Sequence, residues 1–270
     1  MRLNAEEKII ERISRQRGES NNPLFVEKIQ VEWDKLRPKT KDFSDIYAQQ
    51  EMLADKEEIE EIKEGFELKG ETAIVGEYVI MEGIYESQWL AEEVEVIPTN
   101  EFDDIKHGVD FVLRFEEKAG KYLYLGVDVT TSIDRAVIED KRNKILNFLR
   151  QGELGKLKYF EDSVAEIKGS IELPRVAIVL RPKDAIKMQE IMLKIKEHNK
   201  ITTEEEQELN KVRTDVEREV VSQLEKIIMY VEKLIHKEKH YKDEEKINKY
   251  EKFSQTYQDV LSRIRKEALH

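Results

Sequence analysis

Two aspartates in the middle of the sequence are placed to act together. Val109–Phe115 and Tyr122–Thr130 alternate like two β-strands, and the charged spacer between them contains a glycine, which is typical of a hairpin loop. Asp110 and Asp128 each stand nine residues from Ala119, near the middle of that spacer. Opposed residues of an antiparallel pair have Cβ atoms about 4.5–5.5 Å apart on one face of the sheet. The hairpin therefore predicts that the two carboxylates are neighbours.

Two like charges opposite each other in an apolar hairpin are destabilising unless something compensates them. Asp128 lies in the otherwise apolar segment Leu123–Val129, where an uncompensated carboxylate is costly to bury. One interpretation is that one of the aspartates accepts backbone or arginine hydrogen bonds at a strand end. The other is a divalent cation shared by Asp110 and Asp128, which accounts for both carboxylates at once.

A lysine on the next helix stands at an unusual position. Residues 133–150 have helical periodicity, with Thr131 or Ser132 as the expected N-cap. On a helical wheel Lys141 falls inside the apolar arc, about 40° from Val137. Lysine is almost never fully buried without a partner. Its long stem could carry the amine to solvent; the alternative is that Lys141 points back toward Asp110 and Asp128.

A helix before the hairpin supplies further carboxylates. Residues 84–94 have helical periodicity, and Trp89 indicates the buried side. Glu86 and Glu93, seven residues apart, fall on that side, and Glu92 falls just outside it. The sequence does not choose among these three acids.

These residues resemble the pattern of the PD-(D/E)XK nuclease superfamily. In that pattern a helix carries Glu, the start of one strand carries Asp, and a second strand carries Asp or Glu, one residue and Lys, followed by a helix and another strand. The counterparts are Glu86 or Glu93, then Asp110, then Asp128, within residues 82–181. The flanking helices lie outside the resemblance.

The departure from the pattern is Thr130, which stands where the superfamily has lysine. Some members supply that lysine from the following helix, and Lys141 is the natural substitute, with Lys144 second. If neither lysine reaches the site, the resemblance implies a domain that binds metal or nucleic acid without cleaving it.

The resemblance implies metal-assisted hydrolysis of phosphodiester bonds in nucleic acid, with DNA as the expected substrate. Asp110, Asp128 and Glu93 would hold Mg²⁺ or Mn²⁺, and the cation would lower the pKa of a bound water. The lysine would position or deprotonate that water. Asp103 and Asp104 precede the hairpin and could support a second metal, although a turn is favoured there.

The elements predict a mixed α/β (α+β) fold with a restriction-endonuclease-like core. We expect an N-terminal helical region at 1–69, the core at 70–181 and a long-helix, coiled-coil region at 182–270. Within the first region, helices are expected at 3–16, 25–36 and 45–67.

Further elements complete the expected fold. Short strands are predicted at Thr72–Val75 and Tyr78–Met81, on either side of Gly76, and others at Leu157–Phe160 and Pro174–Leu180. The C-terminal region opens with a capping box at Thr203–Glu206, and its apolar seam has steps of three and four residues. Its two long helices are expected to form an antiparallel hairpin, which either packs on the core or makes a homodimer. An alternative function is therefore a non-catalytic scaffold that assembles through this coiled coil.

The composition of the chain excludes some kinds of functional site and limits the contacts that we expect with nucleic acid and membranes. The 270 residues contain no cysteine, which excludes thiol nucleophiles, zinc-thiolate sites and disulfides. The net charge is −12, and residues 71–110 hold 11 acids against one lysine, so contact with nucleic acid is expected to be local. No run of about 18 apolar residues could cross a bilayer. We expect a soluble, cytoplasmic protein with no membrane partner.

Overall fold

The main sheet forms around the predicted hairpin. A computed structural model describes residues 31, 35–65, 70–91, 93–118 and 120–268. After a 3₁₀ turn at Thr40–Phe43, the elements in chain order are α1 (Gln49–Gly65), α2 (Glu71–Tyr85), β1 (Val94–Pro98), a π-helical turn (Asp103–His107), β2 (Phe111–Lys118), β3 (Lys121–Thr130), α3 (Arg135–Gln151), β4 (Gly155–Asp162), β5 (Ile167–Leu173), β6 (Arg175–Val179), α4 (Pro182–Lys196), α5 (Thr203–Tyr241) and α6 (Glu244–Ala268).

Four strands make the main sheet in the order β1-β2-β3-β6, and β4 pairs with β5 in a separate ribbon. β1, β2 and β3 are antiparallel neighbours, whereas β6 runs parallel to β3. Parallel neighbours need a long crossover, which α3 and the β4–β5 ribbon provide. The fold is the mixed α+β arrangement that the sequence predicts, with helices at both ends.

Alternation along the strands explains which elements cover the sheet. Phe111, Leu113 and Phe115 of β2 are fully buried in the main core with the helices, whereas Val112 belongs to a second cluster with Leu157 of the ribbon. Successive residues of a strand point to opposite faces. The helices therefore cover one face and the ribbon covers the other, which leaves the strand ends to carry polar side chains.

The prediction of two strands around Gly76 was wrong, because Glu71–Tyr85 is one helix, α2. Its residues from Val75 to Met81 are buried on every side, and a helix that is apolar all round cannot be told from strands by periodicity. Gly76 does not form a turn. It allows α2 to approach Thr131 closely, since a Cβ at Gly76 would lie 2.2 Å from Thr131 Cγ2. This contact sets α2 against the end of β3.

The predicted helix at 84–94 was also wrong. Only its first two residues belong to α2, and a turn then leads to β1, which starts at Val94. Val94 and Val96 are paired with β2, so sheet pairing overrides the helical period of this segment.

Other boundaries follow the sequence closely. The strands at Leu157–Phe160 and Pro174–Leu180 correspond to β4 and β6, and the helix at 45–67 corresponds to α1. The N-cap of α3 is Asp134 in place of Thr131 or Ser132, and the capping box of α5 begins at Thr202. The predicted helix at 3–16 and most of the one at 25–36 lie outside the described residues.

The C-terminal helices α5 and α6 pack on the core. They are joined by Lys242 and Asp243 and share the main cluster with the sheet. Three polar side chains tie them to the backbone of β6: Gln223 Oε1 accepts from Ala177 N at 3.1 Å, Glu219 Oε2 accepts from Val179 N at 3.2 Å, and the Tyr257 hydroxyl accepts from Arg175 N at 3.2 Å. Of the two uses expected for the apolar seam, packing on the core is the one observed; a homodimer stays a prediction.

The packing of α5 can be tested by unfolding. Leu224 is 0% exposed in the main cluster, so Leu224→Ala should lower the free energy of unfolding by about 2–5 kcal/mol. Met229 lies on the same helix and is 57% exposed, so Met229→Ala should change it by no more than about 0.5 kcal/mol. Urea denaturation measures both. A Leu224→Ala loss no larger than that of Met229→Ala would contradict the packing of α5 on the sheet.

None of the helices in the part of the chain that the structure describes is long and apolar enough to cross a membrane.

Candidate metal centre

Asp110 occupies the position that the hairpin register predicts. β2 and β3 pair Phe111 with Val127 and Leu113 with Leu125, the register obtained by folding the sequence about Ala119. Just before β2, Asp110 N donates to Val127 O at 2.9 Å. Its Oδ2 accepts from Val129 N at 2.6 Å, and the residue is 3% exposed. Asp110 is thus fixed at the end of the hairpin, next to the residues that flank Asp128.

Asp110 belongs to a buried acidic cluster. Glu77, Asp104 and Asp110 each offer a carboxylate oxygen, and these oxygens all lie within 4.8 Å of one another. All three residues are buried. They come from α2, the π-helical turn and the start of β2, so three separate elements bring them together. We call Glu77, Asp104 and Asp110 the acidic cluster.

The π-helical turn holds two adjacent aspartates, Asp103 and Asp104, whose side chains have different partners. Such turns often occur at functional sites, and Gly108 ends this one in the left-handed conformation, with φ 63° and ψ 50°. Asp103 Oδ1 and Oδ2 accept from the backbone amides of Lys158 and Tyr159 at 2.7 and 2.8 Å. Burial raises the pKa of Asp103 to about 6, although these two hydrogen bonds act the other way. Asp103 therefore anchors β4, whereas Asp104 joins the acidic cluster.

Arg37 is the counter-charge of the acidic cluster. Its Nη1 lies 2.7 Å from Asp104 Oδ2. Asn100 holds the segment in place, because its Nδ2 donates to Pro38 O at 2.7 Å while its Oδ1 caps Phe102 N at 2.8 Å. Burial alone would lower the pKa of Arg37, but the charges of the cluster, Asp104 foremost, outweigh it and hold that pKa above its usual value.

Lys141 reaches the hairpin, which is the second of the two orientations that its position on the helical wheel allows. Its ammonium forms an ion pair with Asp128 Oδ1 and donates to Val129 O at 3.3 Å. Asp128 is 9% exposed. Lys144, the second candidate, is exposed and pairs with Asp140 on its own helix at 3.1 Å. The structure thus brings Asp110, Asp128 and Lys141 together, and Lys141 is the lysine at the site.

Thr130 forms hydrogen bonds with the segments next to it. It is buried at the end of β3, where its Oγ1 accepts from Ser132 N at 3.3 Å and its carbonyl accepts from Leu180 N at 2.9 Å. These bonds shape the turn into α3, the helix that carries Lys141.

A second buried cation lies beside Asp128. Arg175 is 5% exposed, and its Nη2 donates to Gly108 O. Burial lowers the pKa of Arg175, and the charges of Asp128 and Asp110 oppose that effect only in part. Asp128 is therefore faced by Lys141 and by Arg175.

The two glutamates predicted from the sequence are not at this site. Glu86 is exposed just after α2. It stands nine residues from Glu77, which places it about 13 Å along the helix and on the opposite face. The prediction of Glu86 was wrong because the helix begins earlier than expected, so that Glu77 is the acid on the buried face.

Glu93 is exposed just before β1. The register pairs Val94 with Phe115 and Pro98 with Phe111, and Thr99 N donates to Asp110 O at 3.3 Å. The five residues of β1 lie between Glu93 and Thr99, and the six steps from one to the other correspond to roughly 20 Å along the sheet. The prediction that Glu93 joins Asp110 on one ion was wrong for this reason. Asp128 also lies outside the acidic cluster and is paired with Lys141.

The acidic cluster fits a divalent cation. Three carboxylates and the Arg37 guanidinium leave a local charge of −2 when all are ionised, which one divalent ion balances. Carboxylate oxygens are the donors that hard cations of this kind prefer. The hydrogen bond from Val129 N to Asp110 Oδ2 holds the Asp110 carboxylate in place beside the other two.

The sequence signals for these residues differ in strength. Glu77 interrupts the apolar run Val75–Met81, which is a usable signal once that run is assigned to a helix. Asp104 lies in a segment before the hairpin where the sequence already favours a turn with two aspartates. Arg37 and Arg175 have no local signal, because each acts on residues more than 45 positions away.

Comparison with known proteins assigns no family to the chain: no protein-family model, curated protein or solved structure matches it.

Proposed function

We propose that the protein is a metal-dependent nuclease of the PD-(D/E)XK type, which hydrolyses phosphodiester bonds of nucleic acid, with DNA as the expected substrate. The observation that carries the proposal is the buried acidic cluster beside the Asp128–Lys141 ion pair. The order of the elements supports it. A helix carries Glu77, Asp110 stands at the start of one strand, Asp128 lies in the next, and α3 and β6 follow.

The acidic cluster would hold Mg²⁺ or Mn²⁺ through Glu77, Asp104 and Asp110. A cation bound there would polarise a phosphate and lower the pKa of a bound water. Asp110 would be the ligand nearest the Asp128–Lys141 ion pair, because its backbone and its carboxylate both form hydrogen bonds with residues flanking Asp128.

Lys141 supplies the positive charge that the pattern's lysine would supply from β3. Asp128 holds its ammonium at the end of the hairpin, where it can donate a hydrogen bond to a phosphate oxygen or to the attacking water. Such a preorganised donor stabilises charge that develops in the transition state. Asp128 therefore acts as the group that orients Lys141.

The balance of charge around the site also fits a phosphodiester. The four carboxylates and three cations of the site sum to −1; they are Glu77, Asp104, Asp110, Asp128, Arg37, Lys141 and Arg175. One divalent cation makes the site +1, and the single negative charge of a phosphodiester then neutralises it. This balance favours local attraction of a phosphate despite the net charge of −12.

The proposal predicts cleavage that needs both metal and Lys141. Wild-type protein should cleave labelled single- or double-stranded DNA with Mg²⁺ or Mn²⁺ and not with EDTA. Lys141→Met should lower the rate by about 10²- to 10³-fold, the usual effect of removing one such donor. Lys187→Met is the matched control, since Lys187 is a half-buried lysine that pairs with Glu208 at 3.2 Å away from the site.

Gel assays of the purified variants, with circular dichroism to verify folding, decide the outcome. A wild-type protein that cleaves neither DNA nor RNA with either metal would overturn the proposal and favour the non-catalytic scaffold. Equal rates for Lys141→Met and Lys187→Met would overturn the role of Lys141.

A further inference from the structure

Arg175, the first residue of β6, sits in a slot that glycines leave open. A Cβ at Gly155 would lie 2.0 Å from Arg175 Cδ and 2.4 Å from its Cγ, and one at Gly126 would lie 3.3 Å from Cγ. Gly126 is the β3 residue that pairs with Arg175, and Gly155 begins β4. Any larger residue at Gly155 would displace the arginine stem, so the slot requires glycine there.

The guanidinium lies between the turn that precedes Asp110 and the carboxylate of Asp128. Arg175 Nη2 donates to Gly108 O. A Cβ added at Gly108 would lie 3.4 Å from Arg175 Nη2 and 3.6 Å from Asp128 Oδ2. Gly108 ends the π-helical turn with φ 63°, and Asp110 follows two residues later. Arg175 therefore connects the backbone that carries Asp104 and Asp110 to the strand that carries Asp128.

Burial of Arg175 is not explained by a full set of hydrogen bonds. Its Nε is buried and has no hydrogen-bond partner among the described residues. A buried charged group with an unpaired polar atom destabilises a fold. A leucine or methionine at the start of β6 would avoid that penalty, so stability alone does not account for the arginine and its slot.

We infer that Arg175 is a positioning residue for the metal centre, which fixes the Gly108–Asp110 turn against Asp128 so that Asp110 stays in the acidic cluster. The inference rests on the proposed function, because it assigns Arg175 a role in holding the cation. Arg175 acts through its hydrogen bond to Gly108 O. Groups that orient a metal ligand in this way typically contribute about 10- to 100-fold to metal affinity.

A purely structural role and a positioning role differ in one readout. If Arg175 only packs against the ribbon, its loss lowers stability but leaves the Mn²⁺ affinity of the folded protein unchanged. If it positions the turn, the Mn²⁺ affinity falls in protein that remains folded. Gly155→Ala separates the two further, because it displaces the arginine without removing its charge.

The test compares Mn²⁺ binding, by electron paramagnetic resonance, in full-length wild type, Arg175→Met, Arg175→Lys and Gly155→Ala. Arg175→Met and Gly155→Ala should each weaken binding by about 10-fold or more, and Arg175→Lys should recover part of the loss. Gly70→Ala is the glycine control, since among the described residues its Cβ would meet no atom within 4 Å. Circular dichroism at the same temperature verifies folding.

Affinities within twofold of wild type for folded Arg175→Met and Gly155→Ala would overturn the inference. If one variant fails to fold, the other decides. Absence of Mn²⁺ binding in the wild type would instead overturn the metal centre on which the proposed function depends, so the two failures are distinguishable.

Discussion

Asp110→Asn is expected to abolish specific Mn²⁺ binding and to lower the rate of DNA cleavage by about 10³-fold or more, because the loss of metal assistance forfeits several kcal/mol of transition-state stabilisation. Asp110 is the residue that the acidic cluster and the hairpin share. Its carboxylate lies within 4.8 Å of those of Glu77 and Asp104, and its Oδ2 accepts from Val129 N. Asparagine keeps the size of the side chain but removes its negative charge.

Asp162→Asn is the matched control for this variant. Asp162 is another buried aspartate, which accepts from Arg114 Nη1 at 2.5 Å and from the Tyr124 hydroxyl at 3.0 Å at the far end of β4. Its substitution removes a buried carboxylate without touching the acidic cluster. Both variants are compared by Mn²⁺ titration and by cleavage rate. Equal Mn²⁺ affinity in Asp110→Asn and Asp162→Asn would contradict the assignment of Asp110.

Arg37→Gln is expected to destabilise the metal-free protein and to tighten its binding of Mn²⁺. Arg37 is the cation that balances the acidic cluster, with Nη1 2.7 Å from Asp104 Oδ2. Removing one partner from a buried set of charges costs about 3–5 kcal/mol. The same change makes the cluster more negative when its carboxylates are ionised, which strengthens its attraction for a cation. Mn²⁺ affinity should therefore rise by about 10-fold or more, since about 1.4 kcal/mol of added attraction corresponds to tenfold.

Urea denaturation in EDTA and in Mn²⁺ measures both consequences. A cation that binds only the folded state adds about 2.7 kcal/mol at 100 times its dissociation constant, so Mn²⁺ should restore much of the stability that Arg37→Gln loses. Arg114→Gln is the control, because it breaks the buried ion pair with Asp162 away from the acidic cluster. Mn²⁺ should stabilise it no more than the wild type. A parallel response of the two variants would contradict the role of Arg37.

The hairpin and its lysine could be predicted because their signals are local. The spacing of Asp110 and Asp128 about the loop fixed their register, and β2 and β3 pair in that register. Lys141 was found because a lysine inside an apolar helical arc needs a partner, and the partner is Asp128. The spacing of apolar residues that marks the C-terminal seam is a local signal too, although only the structure shows that the seam packs on the sheet.

The acids from outside the hairpin could not be predicted in the same way. Val75–Met81 is buried on every side of α2, so the sequence shows no helical period there and favours Glu86 and Glu93 over Glu77. The place of Asp104 in the acidic cluster depends on a π-helical turn. The composition of the sequence does not reveal that this turn gives Asp103 and Asp104 different partners. Tertiary pairing of β1 with β2 then removed Glu93 from the site.

The two arginines required the fold itself. Arg37 meets Asp104 across 67 positions of sequence, and Arg175 meets Gly108 across 67 as well. Contacts at such a separation depend on how whole elements pack. The glycine slot at Gly126 and Gly155 likewise has meaning only once the ribbon strand β4 packs over β3 and β6.

Anomalous X-ray diffraction from crystals grown with Mn²⁺ tests the metal centre most directly. One manganese peak is expected between the carboxylates of Glu77, Asp104 and Asp110, with oxygen-to-metal distances of about 2 Å, and Lys141 still paired with Asp128 beside it. A manganese peak bound only elsewhere on the protein, or none at concentrations that support cleavage, would contradict this assignment.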